Sequence, residues 1–152
     1  MLTSDFKEFA ALLNSNGVEY LVVGGYALAA YGHPRYTGDL DFWIGTDEAN
    51  AMRVLSALDQ FGFGSLGLAR EDFTAPDKVV QLGYPPVRID LLTSIDGVEF
   101  APSYGRRVTM TVDGIELHFI SLDDFKTNKK ATGRHKDLAD LEAIESAGRP
   151  EK

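Results

Sequence analysis

Apolar residues recur along the chain at two spacings, and the switches between them divide it into elements. Phe6, Phe9, Ala10, Leu12 and Leu13 lie three and four apart, which predicts a helix capped by Thr3 or Ser4 and stopped at Asn16-Gly17. Residues 19–23 form a short run rich in β-formers that ends on Gly24-Gly25. Residues 26–31 are small and apolar enough for a short buried helix leaving those glycines. After the polar turn HPRYTG, residues 39–44 alternate as a second strand, with Leu40, Phe42 and Ile44 on one face and Asp39, Asp41 and Trp43 on the other. Thr46-Asp47-Glu48 opens an amphipathic helix through Met52, Leu55, Leu58 and Phe61, with its stop in residues 62–67.

The glycine-rich stretch GFGSLGLAREDFTAPD predicts a loop with some local structure, a candidate for ordering around a substrate. Residues 78–82 and 87–93 predict two strands joined through YPP, whose prolines suit a turn or an edge. Residues 107–112 and 115–120 predict a hairpin about Asp113-Gly114. Ser121-Leu122-Asp123-Asp124 is a capping sequence for a helix through Lys130, and residues 134–147 predict a last helix with Leu138, Leu141 and Ile144 on one face. This order of elements predicts an α/β (α+β) fold: a mixed β-sheet with flanking helices and a C-terminal helical pair.

Composition narrows the picture. A chain of 152 residues, 44% of them hydrophobic, can bury one core and not two, which predicts a single domain over residues 1–148 and a frayed tail at 149–152. A net charge of −8 argues against a surface that grips nucleic acid over its whole extent, although a local basic groove remains compatible with it. With no cysteine, disulfides, thiolate zinc sites and thiol redox chemistry are excluded. The opening MLTSDFKEFAALLNSNG lacks the basic and apolar regions of a leader, and no apolar stretch reaches the roughly 18 residues of a bilayer span. The expected setting is the cytoplasm, with no membrane contact.

The candidate chemistry lies in three carboxylates. On a strand, Asp39 and Asp41 project side by side with Cα atoms roughly 6.6 Å apart, where like charges repel unless water or a cation neutralises them. Asp90 stands in VRIDLLT, with Ile89 and Leu91 on the opposite face and Arg88 and Leu92 on its own. A lone carboxylate in such a strand is costly unless it is paired or bound to a cation. Hard divalent ions such as magnesium prefer oxygen ligands, and two-metal phosphoryl chemistry needs several of them. The spacing therefore suits shared metal ligation, with Trp43 as a wall. Other chemistries fit poorly. A dehalogenase-type aspartate nucleophile follows its strand, whereas here the apolar run comes after the aspartates. Neither G-x-G-x-x-G nor G-K-[ST] is present, the three histidines form no ligand pattern, and no serine has the context of a nucleophile elbow.

The set GG, short helix, DxD on a strand and a later Asp on another strand resembles the nucleotidyltransferase superfamily of DNA polymerase β type. The wording GGYALAAYGHPRYTGDLD and SLDDFKTNKKATGRHKDLADLEAI further resembles its small stand-alone branch, related to the nucleotidyltransferase toxins of bacterial toxin–antitoxin systems. The resemblance runs from Tyr20 to about Ile144. It implies that Asp39, Asp41 and Asp90 hold two Mg2+ ions, with Mn2+ as a substitute, and that Asp90 also helps deprotonate the attacking hydroxyl. Gly24 and Gly25 would let backbone amides approach a nucleoside triphosphate. The implied acceptor is an RNA, a protein or a small molecule, and the implied partner is a cognate antitoxin or another protein. Arg35 and Thr37 match an Arg-x-Thr of that branch and would clamp phosphate, or else bridge to Asp39. Lys126, Lys129 and Lys130 fall on one helix face, as a solvated patch or, for Lys126 and Lys129 in particular, as nucleotide contacts. Two departures stand out: Gly25 replaces a common serine, and the gap from Gly25 to Asp39 is long. The missing serine, together with a small size that leaves little room for an acceptor-binding domain, supports a second reading, a non-catalytic interaction module on the same fold that binds a protein partner.

Overall fold

The computed structural model describes residues 2–32, 38–84 and 87–147. Arg35, Thr37 and the tail at 149–152 lie outside them. Thr3 caps the first helix by accepting the Phe6 N–H at 3.2 Å, and α1 runs Ser4–Ser15. There follow β1 (Tyr20–Val23), α2 (Gly24–Ala30), β2 (Asp39–Ile44) and α3 (Glu48–Phe61). The second half comprises β3 (Val79–Tyr84), β4 (Val87–Leu92), α4 (Phe100–Gly105), β5 (Val108–Val112), β6 (Ile115–Phe119), α5 (Leu122–Thr132) and α6 (His135–Ala147).

The six strands form one mixed sheet in the order β3-β4-β2-β1-β6-β5. β2 is central, antiparallel to β1 and parallel to β4, so its alternation decides which face is dry. Leu40, Phe42 and Ile44 are fully buried, and Phe42 meets Phe9 of α1 and Tyr20 of β1 with ring centroids 5.7 and 5.2 Å apart. The expected hairpin is present: Asp113 and Gly114 take φ values of 51° and 81°, the paired positive angles of a tight two-residue turn.

Three expectations need correction. α3 turns Asn50, Ala51, Val54, Ala57 and Leu58 inward, whereas Met52 is exposed. The cause is Asn50, whose amide donates to the Glu19 and Gly45 carbonyls at 3.0 and 2.9 Å and accepts from the Glu19 N–H at 2.7 Å, so a polar residue ties the helix to the strand ends. The glycine-rich stretch is a loop with local structure, as expected. It holds two 3-10 turns, Gly64–Leu66 and Arg70–Phe73, and is anchored by the buried Phe73. α4 escaped the sequence reading altogether, and it covers Trp43: the Phe100 ring stands perpendicular to the indole at 5.2 Å. Trp43 is therefore packed under a helix instead of walling the acidic site, and its indole Nε1 has no hydrogen-bond partner. Lastly, α6 buries Asp137, Asp140, Leu141 and Ile144, while Leu138 faces solvent.

Candidate active site

The parallel pairing of β2 with β4 sets Asp41 opposite Asp90 and Asp39 opposite Arg88, and on the other side of β2 Asp41 pairs with Val23. Three carboxylates and the Gly24-Gly25 turn are thus brought to one end of the central strands. Asp39, Asp41 and Asp90 each offer an oxygen, and these atoms lie within 4.8 Å of one another. Asp90 is buried and the other two are half-buried. Burial, first, and then the neighbouring Asp39 and Asp90 carboxylates push the Asp41 carboxyl up to about 9. A cluster of oxygen donors partly withdrawn from water, whose ionised forms repel one another, fits a hard divalent cation. Within the protein, part of their negative charge is met by Arg88, whose guanidinium donates to Asp90 at 2.9 and 3.0 Å and to Asp39 at 3.4 Å.

Gly24 is glycine for two independent reasons. Its φ is +70°, in the left-handed region, and a Cβ there would overlap Asp41 Oδ2. Gly24→Ala is therefore expected to lower stability by about 1–2 kcal/mol through the backbone alone. It should also displace the Asp41 carboxylate, so that Mn2+ binding measured by titration calorimetry weakens more than the melting temperature predicts.

A cavity of about 320 Å³ opens beside the trio. It is lined by Gly24, Gly25, Asp39 and Asp41, by Leu92, Ser94, Ile95 and Asp96, by Asn128, Lys129 and Thr132 of α5, by Arg134 of the connection that follows, and by Lys136 and Asp137 of α6. The lining thus carries both carboxylates and cations. Lys129 does not belong to a solvated stripe. Its ammonium donates to Asp137 at 3.1 Å and sits 3.4 Å from Asp140, and both carboxylates are almost fully buried. Arg134 reaches Asp137 from outside at 2.6 Å. Burial opposes ionisation of Asp137, but hydrogen bonds from Arg134, Thr132 and Lys129 outweigh it and hold the carboxyl well below the usual range. Lys126 is half-buried and does not line the cavity, and Lys130 is exposed, so the expected basic face divides. Gly24, Gly25 and Lys129 line the cavity.

Four participants were not anticipated. Arg88 was visible only as a same-face neighbour of Asp90. The motif HKDLAD gave no warning that Asp137 and Asp140 turn inward, because the cation that holds them is one helix away. Asp96 comes to the cavity on the connection before α4, an element with no periodic signal.

Among the described residues no helix is long and apolar enough to cross a membrane. A family model described as nucleotidyl transferase of unknown function (DUF2204) matches residues 3–150. No curated protein matches the sequence. Two solved structures share the fold. An antigenic nucleotidyltransferase-like protein from Paracoccidioides brasiliensis aligns with a TM-score of 0.55 and 22% identity, over 99% of this chain and 80% of its own. A candidate nucleotidyltransferase from Thermotoga maritima aligns with a TM-score of 0.55 and 15% identity, over 91% of this chain and 85% of its own.

Proposed function

Because the chain belongs to the family of nucleotidyl transferases of unknown function (DUF2204) and has a nucleotidyltransferase-like fold, we propose that it is a metal-dependent nucleotidyltransferase. It would move a nucleoside monophosphate from a nucleoside triphosphate to a hydroxyl of an RNA, protein or small-molecule acceptor, as a component of a toxin–antitoxin pair. The observation that carries this reading is the convergence of Asp39, Asp41 and Asp90 within 4.8 Å, beside a cavity that Asp39 and Asp41 line together with Lys129, Arg134 and Lys136.

Asp39, Asp41 and Asp90 would hold the divalent ions, Mg2+ or its substitute Mn2+, which supply charge neutralisation at the reacting phosphate. The chain's own groups account for the rest. Amides at Gly24 and Gly25 approach the triphosphate without side chains in the way, and the cations that line the same cavity would meet its outer phosphates. Asp90, on β4, would accept the proton of the acceptor hydroxyl. The acceptor oxygen bonds to the α-phosphorus, the bond to the bridging oxygen breaks, and pyrophosphate leaves with the electron pair. Gly25 contributes only backbone here, so whatever contact a serine hydroxyl would make must come from another residue of the lining.

The test is incubation with each labelled triphosphate, Mg2+ and a cell extract, followed by identification of the labelled species. Label should enter one acceptor class with release of pyrophosphate, and should disappear with Asp39→Asn plus Asp41→Asn. No label in any fraction would overturn the enzymatic reading in favour of a protein-binding module, which a co-purifying partner would then identify.

A further inference from the structure

Arg88 carries a positive charge into the acidic trio from the sheet itself. Two residues ahead of Asp90 on β4, it shares that residue's face and pairs in register with Asp39. Its guanidinium makes a fork on Asp90, Nε to Oδ1 at 2.9 Å and Nη2 to Oδ2 at 3.0 Å, and Nη2 also reaches Asp39 Oδ2 at 3.4 Å. The Arg88 side chain is 29% exposed and that of Asp90 only 8%, so this charge acts on its neighbours with less than full water screening. Both oxygens of Asp90 already accept a donor, and Asp39 shares one.

Resting on the nucleotidyltransferase reading above, we propose that Arg88 is a positioning residue that stands in for a divalent cation while the nucleotide is absent: its fork aligns Asp90, and its charge keeps the trio from filling with metal ions before a triphosphate arrives. A divalent ion entering alone meets a guanidinium already seated on two of the three ligands, and must bind beside a like charge. A triphosphate brings negative charge to the same end of the cavity and offsets that repulsion, so metal and nucleotide bind together more readily than metal alone. Arginine suits this role because its planar fork fixes both oxygens of one carboxylate, which an ammonium cannot do.

The test follows Mn2+ binding to the full chain by electron paramagnetic resonance, without nucleotide and with a non-hydrolysable triphosphate. A neighbouring unit charge moves an ionic equilibrium by about one to three powers of ten. Arg88→Met is therefore expected to bind Mn2+ about tenfold or more tightly than wild type without nucleotide, with the difference shrinking once the triphosphate is present. Transfer should lose kcat with little change in KM for the triphosphate. Arg88→Lys keeps the charge but not the fork, and should show near wild-type Mn2+ affinity with the same loss of kcat. Arg88→Gln, neutral and polar, carries the same prediction if Arg88→Met does not fold. Mn2+ affinity in the neutral variants that is unchanged or weaker overturns the role of Arg88 alone. A wild-type chain that binds no Mn2+, with or without triphosphate, overturns the nucleotidyltransferase reading itself.

Discussion

Asp41→Asn is expected to abolish nucleotide transfer, by about three orders of magnitude or more, while making the metal-free protein more stable at neutral pH than the wild type, because asparagine has no carboxyl to ionise in the unfolded chain. The first half follows from the loss of a central oxygen ligand where charge develops in the reaction. The second follows from the state of the residue it replaces. With its carboxyl pushed up from 3.8 to about 9 by burial and by Asp39 and Asp90, Asp41 is protonated at neutral pH in the metal-free fold, and asparagine reproduces that neutral shape. The sign of the linkage is definite. A group whose folded value lies above its unfolded value contributes stability that is complete below the unfolded value and is lost as pH rises through the folded one. Melting curves in chelator at pH 5, 7 and 9 should show the wild type losing stability across that range and the variant losing less. Equal slopes for the two proteins would mean that Asp41 is ionised throughout.

Lys129→Met should have the largest effect on stability. The lysine side chain is 11% exposed and its partners Asp137 and Asp140 are 1% and 5% exposed, so removing the ammonium leaves buried carboxylates short of a countercharge. Losses of about 3–5 kcal/mol are typical when one partner of a buried pair is removed. Arg134 remains on Asp137 and places the expectation at the lower end, near 3 kcal/mol. Adding Asp140→Asn should restore part of that loss in chemical denaturation, and a double-mutant cycle would give the coupling. If Lys129→Met unfolds at the wild-type denaturant concentration, the pairing contributes nothing to the fold and the three residues are held for the cavity alone. The pH dependence of this helix pair runs opposite to that of the trio. Asp137 is held below its ordinary value, so its contribution is present above that value and is lost as the solution is acidified.

Much of the site was legible because its signals are local. The alternation of residues 39–44 fixes both the strand and the wet side on which Asp39 and Asp41 stand, and Asp90 stands out as a charge inside an apolar run. Asp113-Gly114 and the Thr3, Asp47 and Ser121 caps specify their turns and helix starts through their own side chains or backbone angles. What sequence reasoning missed depends on distant partners. Asp137 and Asp140 carry no local signal of burial, because their countercharge, Lys129, stands on the preceding helix. Leu138 faces water because the inner side of that turn is occupied by those carboxylates. α4 holds a proline in six residues and shows no period. It is tied down by a residue outside its own segment, Asp124, which accepts from Ser103 and from Arg106 at the C-terminal cap at 2.8 to 3.0 Å.

The pairing of Asp41 with Asp90 also bears on how the chain reaches its native state. These residues are far apart in sequence, and a one-residue slip of β4 against β2 would turn Asp90 toward the apolar face. The trio therefore exists only when the central parallel strands have closed in the native register, a non-local step of the kind that is slow in mixed sheets. Helices α1 and α3 can form without it, so secondary structure should recover before the acidic cluster does. Divalent-ion binding during refolding would then serve as a stopwatch for one event, the zipping of the middle of the sheet, apart from the collapse that precedes it.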